Sequence, residues 1–251
     1  MREKQKTSWG KVAEWYEGVV LDKDSYQHKV ITPNVLRLLS PKLGERVLHL
    51  ACGEGYFSRL LAEKGAKVTG VDVSPELIAK AKSKGGGTFV LHEAHKLLSL
   101  ASNTFDSAIS ILSLQNIREL DGAIKELSRV LKPGGKITFV LNHPSFRVPQ
   151  SSDWGFDEVK RIQYRKVWKY LKESTITILM NPGKKDSAKT YSFHRPLQTY
   201  IKTLAKHRFA VTNLEEWESH KKSARGPRER AENEARKEIP LFLAIEAKKL
   251  L

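Results

Sequence analysis

From Arg46 to Leu141 the chain alternates short apolar runs of strand length with amphipathic runs of helical period. That rhythm restricts it to a parallel sheet covered by helices. The strand-like runs are Arg46 to Ala51, Lys67 to Asp72, Thr88 to Leu91, Phe105 to Leu112 and Lys136 to Leu141. Between them, Tyr56 to Lys64 places Phe57, Leu60 and Leu61 on one helical face and stops at Gly65. Ser74, Pro75 and Glu76 open a second helix as N-cap, first-turn proline and early acid, and it runs to about Lys84. A third spans Asp121 to Leu131 and ends at Lys132-Pro133-Gly134-Gly135.

After His143 the alternation breaks. Residues up to Arg195 are rich in Pro, Trp, Tyr and basic side chains, with Tyr164 to Tyr170 and Thr175 to Leu179 alternating like antiparallel strands. This stretch is expected to be an insertion over the open edge of the sheet. Pro196 to Lys206 reads as a helix, Phe209 to Trp217 and Leu241 to Lys249 as strands, and Ser219 to Glu238 as a charged loop and helix outside the core. Two amphipathic stretches, Trp9 to Tyr16 and Tyr26 to Leu39, lead into the sheet.

Composition removes several function classes. No run approaches the ~18 apolar residues of a membrane span, and the charged start Met1 to Lys6 leads into no apolar signal region, so a cytoplasmic chain without membrane partners is expected. The single cysteine, Cys52, has no partner for a disulfide or a cysteine-based metal site, and no metal is expected. Lys and Arg outnumber Asp and Glu by 44 to 28, a formal charge of +16. Such an excess raises nucleic acid or acidic surfaces as partners.

The most informative segment is Val47 to Phe57. A strand runs directly into a turn with small residues at Ala51, Gly53 and Gly55, which lets a ligand lie against bare backbone. Asp72 stands at the carboxyl end of the second strand, 19 residues past Gly53, where an acid accepts hydrogen bonds from ribose hydroxyls. Together they indicate an adenosine-type cofactor. A nicotinamide dinucleotide needs three glycines spaced G-x-G-x-x-G, and the third position here is Ser58. S-adenosyl-L-methionine (SAM) carries no phosphate and needs the turn and the acid alone.

The surrounding motifs decide between them. The chain resembles the class I SAM-dependent methyltransferases, in particular the small-molecule type 11 branch, clearly over residues 46–142 and more loosely throughout. The resemblance rests on Val47 to Gly55, Gly70-Val71-Asp72-Val73-Ser74, Glu93-Ala94, Phe105-Asp106 and Arg129 to Lys136. It implies a Rossmann-like α/β fold, with a seven-stranded, mostly parallel sheet, helices on both faces and an antiparallel last strand. It further implies an N-terminal helical lid at 1–45, a SAM-binding core at 46–142, a substrate-side insertion at 143–195 and completion of the sheet by 196–251. The cofactor set carried over is His49, Ala51, Cys52, Gly53, Gly55, Tyr56, Asp72, Val73, Glu93, Ala94, Ser110 and Ile111. The chain departs from the family where His49 replaces an acid, Ala51 a glycine and Glu93 an aspartate. His49 can hold the cationic amino group of SAM only if neutral and acting as acceptor.

Methyl transfer is an in-line displacement, so the protein mainly aligns an acceptor and excludes water. Candidates for the acceptor side are His143 as general base just past the fifth strand, Gln115 after the fourth and Tyr16 in the leading segment. His194 and Arg195, after the insertion, could reach an anionic substrate or simply begin a helix. The expected activity is transfer of a methyl group to a small-molecule O, N or C acceptor. The alternatives are an RNA methyltransferase, or a non-catalytic module that holds SAM or nucleic acid. The charge bears on this choice. Residues 145–193 carry ten basic and five acidic side chains, a net +5, and 219–238 a net +3. The remainder is dispersed, which favours an anionic small acceptor steered by the insertion over a nucleic-acid groove.

Overall fold

The computed structural model describes Gly18 and residues 22–179 and 189–251. Its centre is a seven-stranded sheet built from β1 (Arg46–Leu50), β2 (Lys67–Asp72), β3 (Thr88–Leu91), β4 (Phe105–Ile111), β5 (Leu131–Asn142), β10 (Phe209–Trp217) and β11 (Phe242–Lys249). The spatial order is β10-β11-β5-β4-β1-β2-β3. β1 to β5 pair in parallel, whereas β11 inserts antiparallel to both β5 and β10. The implied antiparallel last strand is therefore present, flanked on both sides. No helix among the described residues is long and apolar enough to cross a membrane.

The period-2 pattern of the strands explains why both faces are covered. Leu48 and Leu50 of β1 point into one core with Ile137, Phe139 and Leu141 of β5, while Val47 and Val140 point into another. Helices α4 (Leu120–Val130) and α5 (Leu197–Lys206) fill the first through Ile124, Leu127, Tyr200 and Leu204. α1 (Thr32–Leu39) and α2 (Tyr56–Glu63) fill the second through Val35, Phe57 and Leu61. Each such side chain contributes ~1.5–3 kcal/mol on burial. α3 (Pro75–Lys84) starts as expected, with the Ser74 hydroxyl accepting the Leu77 N–H at 3.2 Å.

Three sequence expectations are corrected. The stretch read as one helix from Tyr26 to Leu39 begins with a π turn over Gln27–Ile31, in which the Thr32 N–H reaches back to the Gln27 carbonyl. Pro33 next in the chain has no N–H to give, so the hydrogen-bond register slips there. β5 begins at Leu131 rather than Lys136, because Gly134, at φ +75°, turns the chain and Leu131 already pairs with Phe105.

The insertion is two separate hairpins. β6 (Ser152–Asp157) pairs with β7 (Ile162–Val167), and β8 (Ser174–Leu179) with β9 (Lys189–His194), so the two runs read from sequence never meet each other. Gly155 hides β6 from a propensity reading. A Cβ there would stand 2.6 Å from the Tyr164 ring, so the glycine is what lets that ring cross the hairpin. β9 lies against the 3-10 turn Leu114–Asn116 that follows β4, at the carboxyl rim of the sheet rather than along its edge. α6 (Glu229–Glu238) packs on β7. The Trp9 to Tyr16 stretch lies outside the described residues.

Candidate active site

β1 and β4 lie side by side at the centre of the sheet, with helices leaving in both directions, so the crevice at their carboxyl ends is the place where an α/β sheet binds ligands. Two of the left-handed non-glycine residues of the described chain stand there. Ala51, one residue past β1, and Leu112, one past β4, both adopt left-handed conformations, at φ +54° and +51°. Neighbouring backbone bonds pin both: Cys52, the residue after Ala51, donates its N–H to the Val71 carbonyl at 2.9 Å, and Leu112 donates its own to the Val140 carbonyl at 2.7 Å.

The glycine turn is fastened to β2. Asp72 accepts the Gly53 N–H on one carboxylate oxygen and the Ser74 N–H on the other, both at 2.9 Å. Burial raises its pKa, opposed by these backbone donors. Each oxygen keeps a lone pair for a further donor. Gly53 sits at φ +57°, and a Cβ built on it would meet nothing within 4 Å. Gly55, at φ +85°, is different, since a Cβ there would press the Phe89 ring at 3.0 Å. One glycine keeps a cradle open; the other permits packing. Cys52 is buried with Ile78, Ala81 and Phe89, and burial pushes its thiol pKa up, so it fills space rather than reacts.

His49 answers the question its sequence raised. It is buried at 3% exposure, and burial pulls its pKa down to about 3, so the imidazole is neutral. Its Nδ1 lies 2.8 Å from the Ser58 hydroxyl in the first turn of α2. His49, which departs from the methyltransferase pattern, and Ser58, which departs from the dinucleotide fingerprint, are thus each other's partners. Glu54, which sequence reasoning passed over, is also buried. It takes both Arg59 guanidinium nitrogen contacts through Nη2 at 2.9 and 3.0 Å and the Lys84 ammonium at 2.7 Å, tying the turn to α2 and α3. An acid between two glycines with an Arg five residues on was the available signal.

The adenine-side residues lie next along the rim. Val73 is 44% exposed, an apolar side chain left uncovered beside Asp72. Glu93 faces solvent with His95 at 3.2 Å and Lys96 at 3.6 Å, and Ala94 leans on the core. Tyr56 joins α2 to α1 through its hydroxyl, 3.3 Å from Thr32 Oγ1. Ser110 is fully buried with its hydroxyl 2.5 Å from that of Ser113, and Ile111 packs inward. Both brace the end of β4.

The acceptor-side candidates separate. His143 is buried, its Nδ1 accepting the Ser145 N–H at 3.2 Å and its Nε2 2.6 Å from Glu216. Burial lowers its pKa against the pull of Glu216. With both nitrogens engaged it fixes the turn after β5, and in this arrangement it has no free lone pair to take a proton. Gln115 donates to the Leu112 carbonyl at 2.9 Å while its Oε1 is buried without a partner among the described residues. An orphaned acceptor at the end of β4 is the mark of a site that expects a donor. Tyr16 lies outside the described residues. His194 donates from Nε2 to the Tyr170 carbonyl at 2.7 Å, and buried Arg195 donates to the carbonyls of Leu114, Ile117 and Arg118, so both are structural.

The donor set fits SAM: a buried carboxylate with spare lone pairs, an open glycine cradle, an uncovered apolar rim residue and a neutral imidazole. Comparison with known proteins agrees. Residues 48–139 match the family model described as methyltransferase domain. A malonyl-[acyl-carrier protein] O-methyltransferase of Pseudescherichia vulneris is 39% identical over 106 residues, 41% of this chain and 42% of that protein. A demethylmenaquinone methyltransferase of Tropheryma whipplei is 32% identical over 111 residues, 43% of this chain and 46% of its own. The matched stretch thus spans less than half the length of either curated relative. A SAM-dependent methyltransferase from Mesorhizobium loti, known from its crystal structure, superposes with a TM-score of 0.67 at 27% identity, covering 86% of this chain and 96% of its own. Residues 48–139 thus match the methyltransferase domain model, and the chain shares the Rossmann-like fold of the SAM-dependent methyltransferases.

Proposed function

We propose that this protein is a SAM-dependent methyltransferase acting on a small-molecule acceptor. The observation that carries the reading is the Asp72 clamp across an open Gly53. When bound there, SAM supplies a sulfonium methyl open to in-line attack. Asp72 would hold the ribose hydroxyls through the lone pairs its backbone donors leave free, and Val73 would cover the base. Neutral His49, paired with Ser58 through Nδ1, would offer Nε2 as an acceptor to the ammonium of the methionine moiety in the tautomer that protonates Nδ1. Gln115 Oε1 meets a donor at the rim, on cofactor or acceptor. No side chain in the crevice is assigned as a base, so the protein's contribution is alignment and exclusion of water. The relatives named above methylate small or carrier-bound acceptors by their own descriptions, which supports a small acceptor here.

Calorimetric titration with SAM and with its demethylated product tests the cofactor reading. Saturable binding that is lost in Asp72→Ala is expected, and absence of binding to the unmodified protein would overturn it. The acceptor class is read by incubating protein, methyl-labelled SAM and cell extract, then separating small molecules, RNA and protein. Label confined to RNA would replace the small-acceptor reading with RNA methylation.

A further inference from the structure

Beyond β5 the chain turns through His143 to Arg147, whose N–H closes the turn on the His143 carbonyl at 2.8 Å. Arg147 therefore stands at the carboxyl rim, two strands from β1 and roughly 10 Å along the sheet from the glycine turn. Its guanidinium makes no hydrogen bond and no ion pair among the described residues. Burial nonetheless draws its pKa below the ordinary arginine value, and the charge of Arg165 adds to this. Arg147 is thus reachable from solvent yet set among protein atoms, with a second cation for a neighbour.

Arg165 is held from the opposite side. On β7, its Nε donates to the Phe146 carbonyl and its Nη2 to the Ser152 hydroxyl, both at 2.8 Å. Its guanidinium lies 5.1 Å over the ring of Trp154, its cross-strand partner. Burial lowers its pKa as well, and Asp153 offsets this through charge without an ion pair. The third wall is Tyr26, which packs edge-on against Phe242 at 5.8 Å and lies within electrostatic reach of Arg147. Two arginines with no paired carboxylate, one fixed by neutral groups and one free, form a solvent-accessible cationic patch beside aromatic rings. Solvated arginines normally spread apart or find acids. This pair does neither.

We propose that Arg147, backed by Arg165, anchors an organic carboxylate on the methyl acceptor, with Phe146, Trp154 and Tyr26 bordering the body of that molecule. A guanidinium matches a carboxylate with two parallel N–H donors, which an ammonium cannot reproduce. The inference deepens the proposed activity by naming the acceptor's charge and rests on it only for this patch being the acceptor site.

The test uses the full chain saturated with demethylated cofactor and two isosteric probes, 4-hydroxybenzoate and 4-hydroxybenzamide, followed by ligand-observed NMR and calorimetry. The carboxylate is expected to bind saturably and the amide at least about 10-fold more weakly. Arg147→Met should weaken the carboxylate by about 10- to 100-fold and leave the amide unchanged. Arg147→Lys should fall between. Cofactor affinity, measured on each variant, should stay within about 2-fold and shows that the variant is folded. Equal binding of acid and amide, no binding of either, or an Arg147→Met protein that binds the acid normally would each overturn the proposal. Loss of cofactor binding by the unmodified protein would instead overturn the methyltransferase reading.

Discussion

Gly53 and Gly55 stand two residues apart with the same sign of φ, and a side chain at each meets different surroundings. An L-residue in the left-handed region costs ~1–2 kcal/mol at either position. At Gly55 the added methyl also crowds Phe89, so Gly55→Ala should lower Tm by ~4–8 °C for a chain of this size. At Gly53 the methyl enters open space where the cofactor would lie. Gly53→Ala should therefore lose less stability and more affinity for the demethylated cofactor, about 10-fold or greater. Thermal melts and calorimetry on the two variants check the crossed pattern. His49 gives a second expectation. Its folded pKa of about 3 lies below the usual 6.5, so the unfolded chain binds a proton that the folded chain refuses. Stability should then fall as pH drops from about 6.5 towards 3, by up to ~2 kcal/mol from this residue at pH 5. Denaturant melts of wild type and His49→Gln between pH 7.5 and 5 should differ in slope by that amount, with the variant flatter. The Asp72 and Gly53 pairing was legible because its signal is a spacing along one βαβ unit. The neutrality of His49 was not, because it follows from burial between β1 and α2.

Elements beyond the first five strands show where sequence reasoning loses hold. β1 to β5 and their helices announce themselves by period and caps, and contacts within them are close in sequence. The insertion depends on contacts that cross it. Arg195 reads as an ordinary helix start, yet it reaches back about 80 residues to three carbonyls of the turn after β4, at 3.3, 2.8 and 2.7 Å, and packs over Phe193 at 5.4 Å. His143 likewise meets Glu216 from 73 residues away. No local pattern encodes either. The Arg195 clamp holds β9 against the turn that carries Gln115. Arg195→Met would leave three carbonyls short of their donor and should cost ~2–4 kcal/mol. Arg195→Lys, with three donors on one point, should recover only part of it. The readout that separates a clamp from a ligand contact is Tm: it should drop in the absence of any ligand, by roughly 5–12 °C for Arg195→Met.

For the whole molecule the question is what a formal charge of +16 does. Many of the surface cations are partnered, as in Arg37 with Glu215, Lys206 with Asp121 and Arg228 with Glu158. Exposed pairs of this kind contribute little to stability. They do neutralise charge locally, so the field that reaches solvent is set by cations without acids. Arg147 and Arg165 are such a pair, and they sit at the carboxyl rim, where their charges add to one local positive field. An anionic acceptor should be drawn to that rim at rates above those of a neutral one, and dissolved ions should remove the advantage within a Debye length of ~10 Å at 0.1 M. For a carboxylate acceptor, kcat/KM should therefore fall by about 10-fold between 20 mM and 500 mM salt, mostly through KM. The same series on its amide counterpart should be flat. Binding of the demethylated cofactor, whose ammonium and carboxylate offset each other, should also change little and serves as the internal control. A parallel loss for acid and amide would mean that salt acts on the protein rather than on steering. An unchanged rate for the acid would assign the surplus to the surface alone.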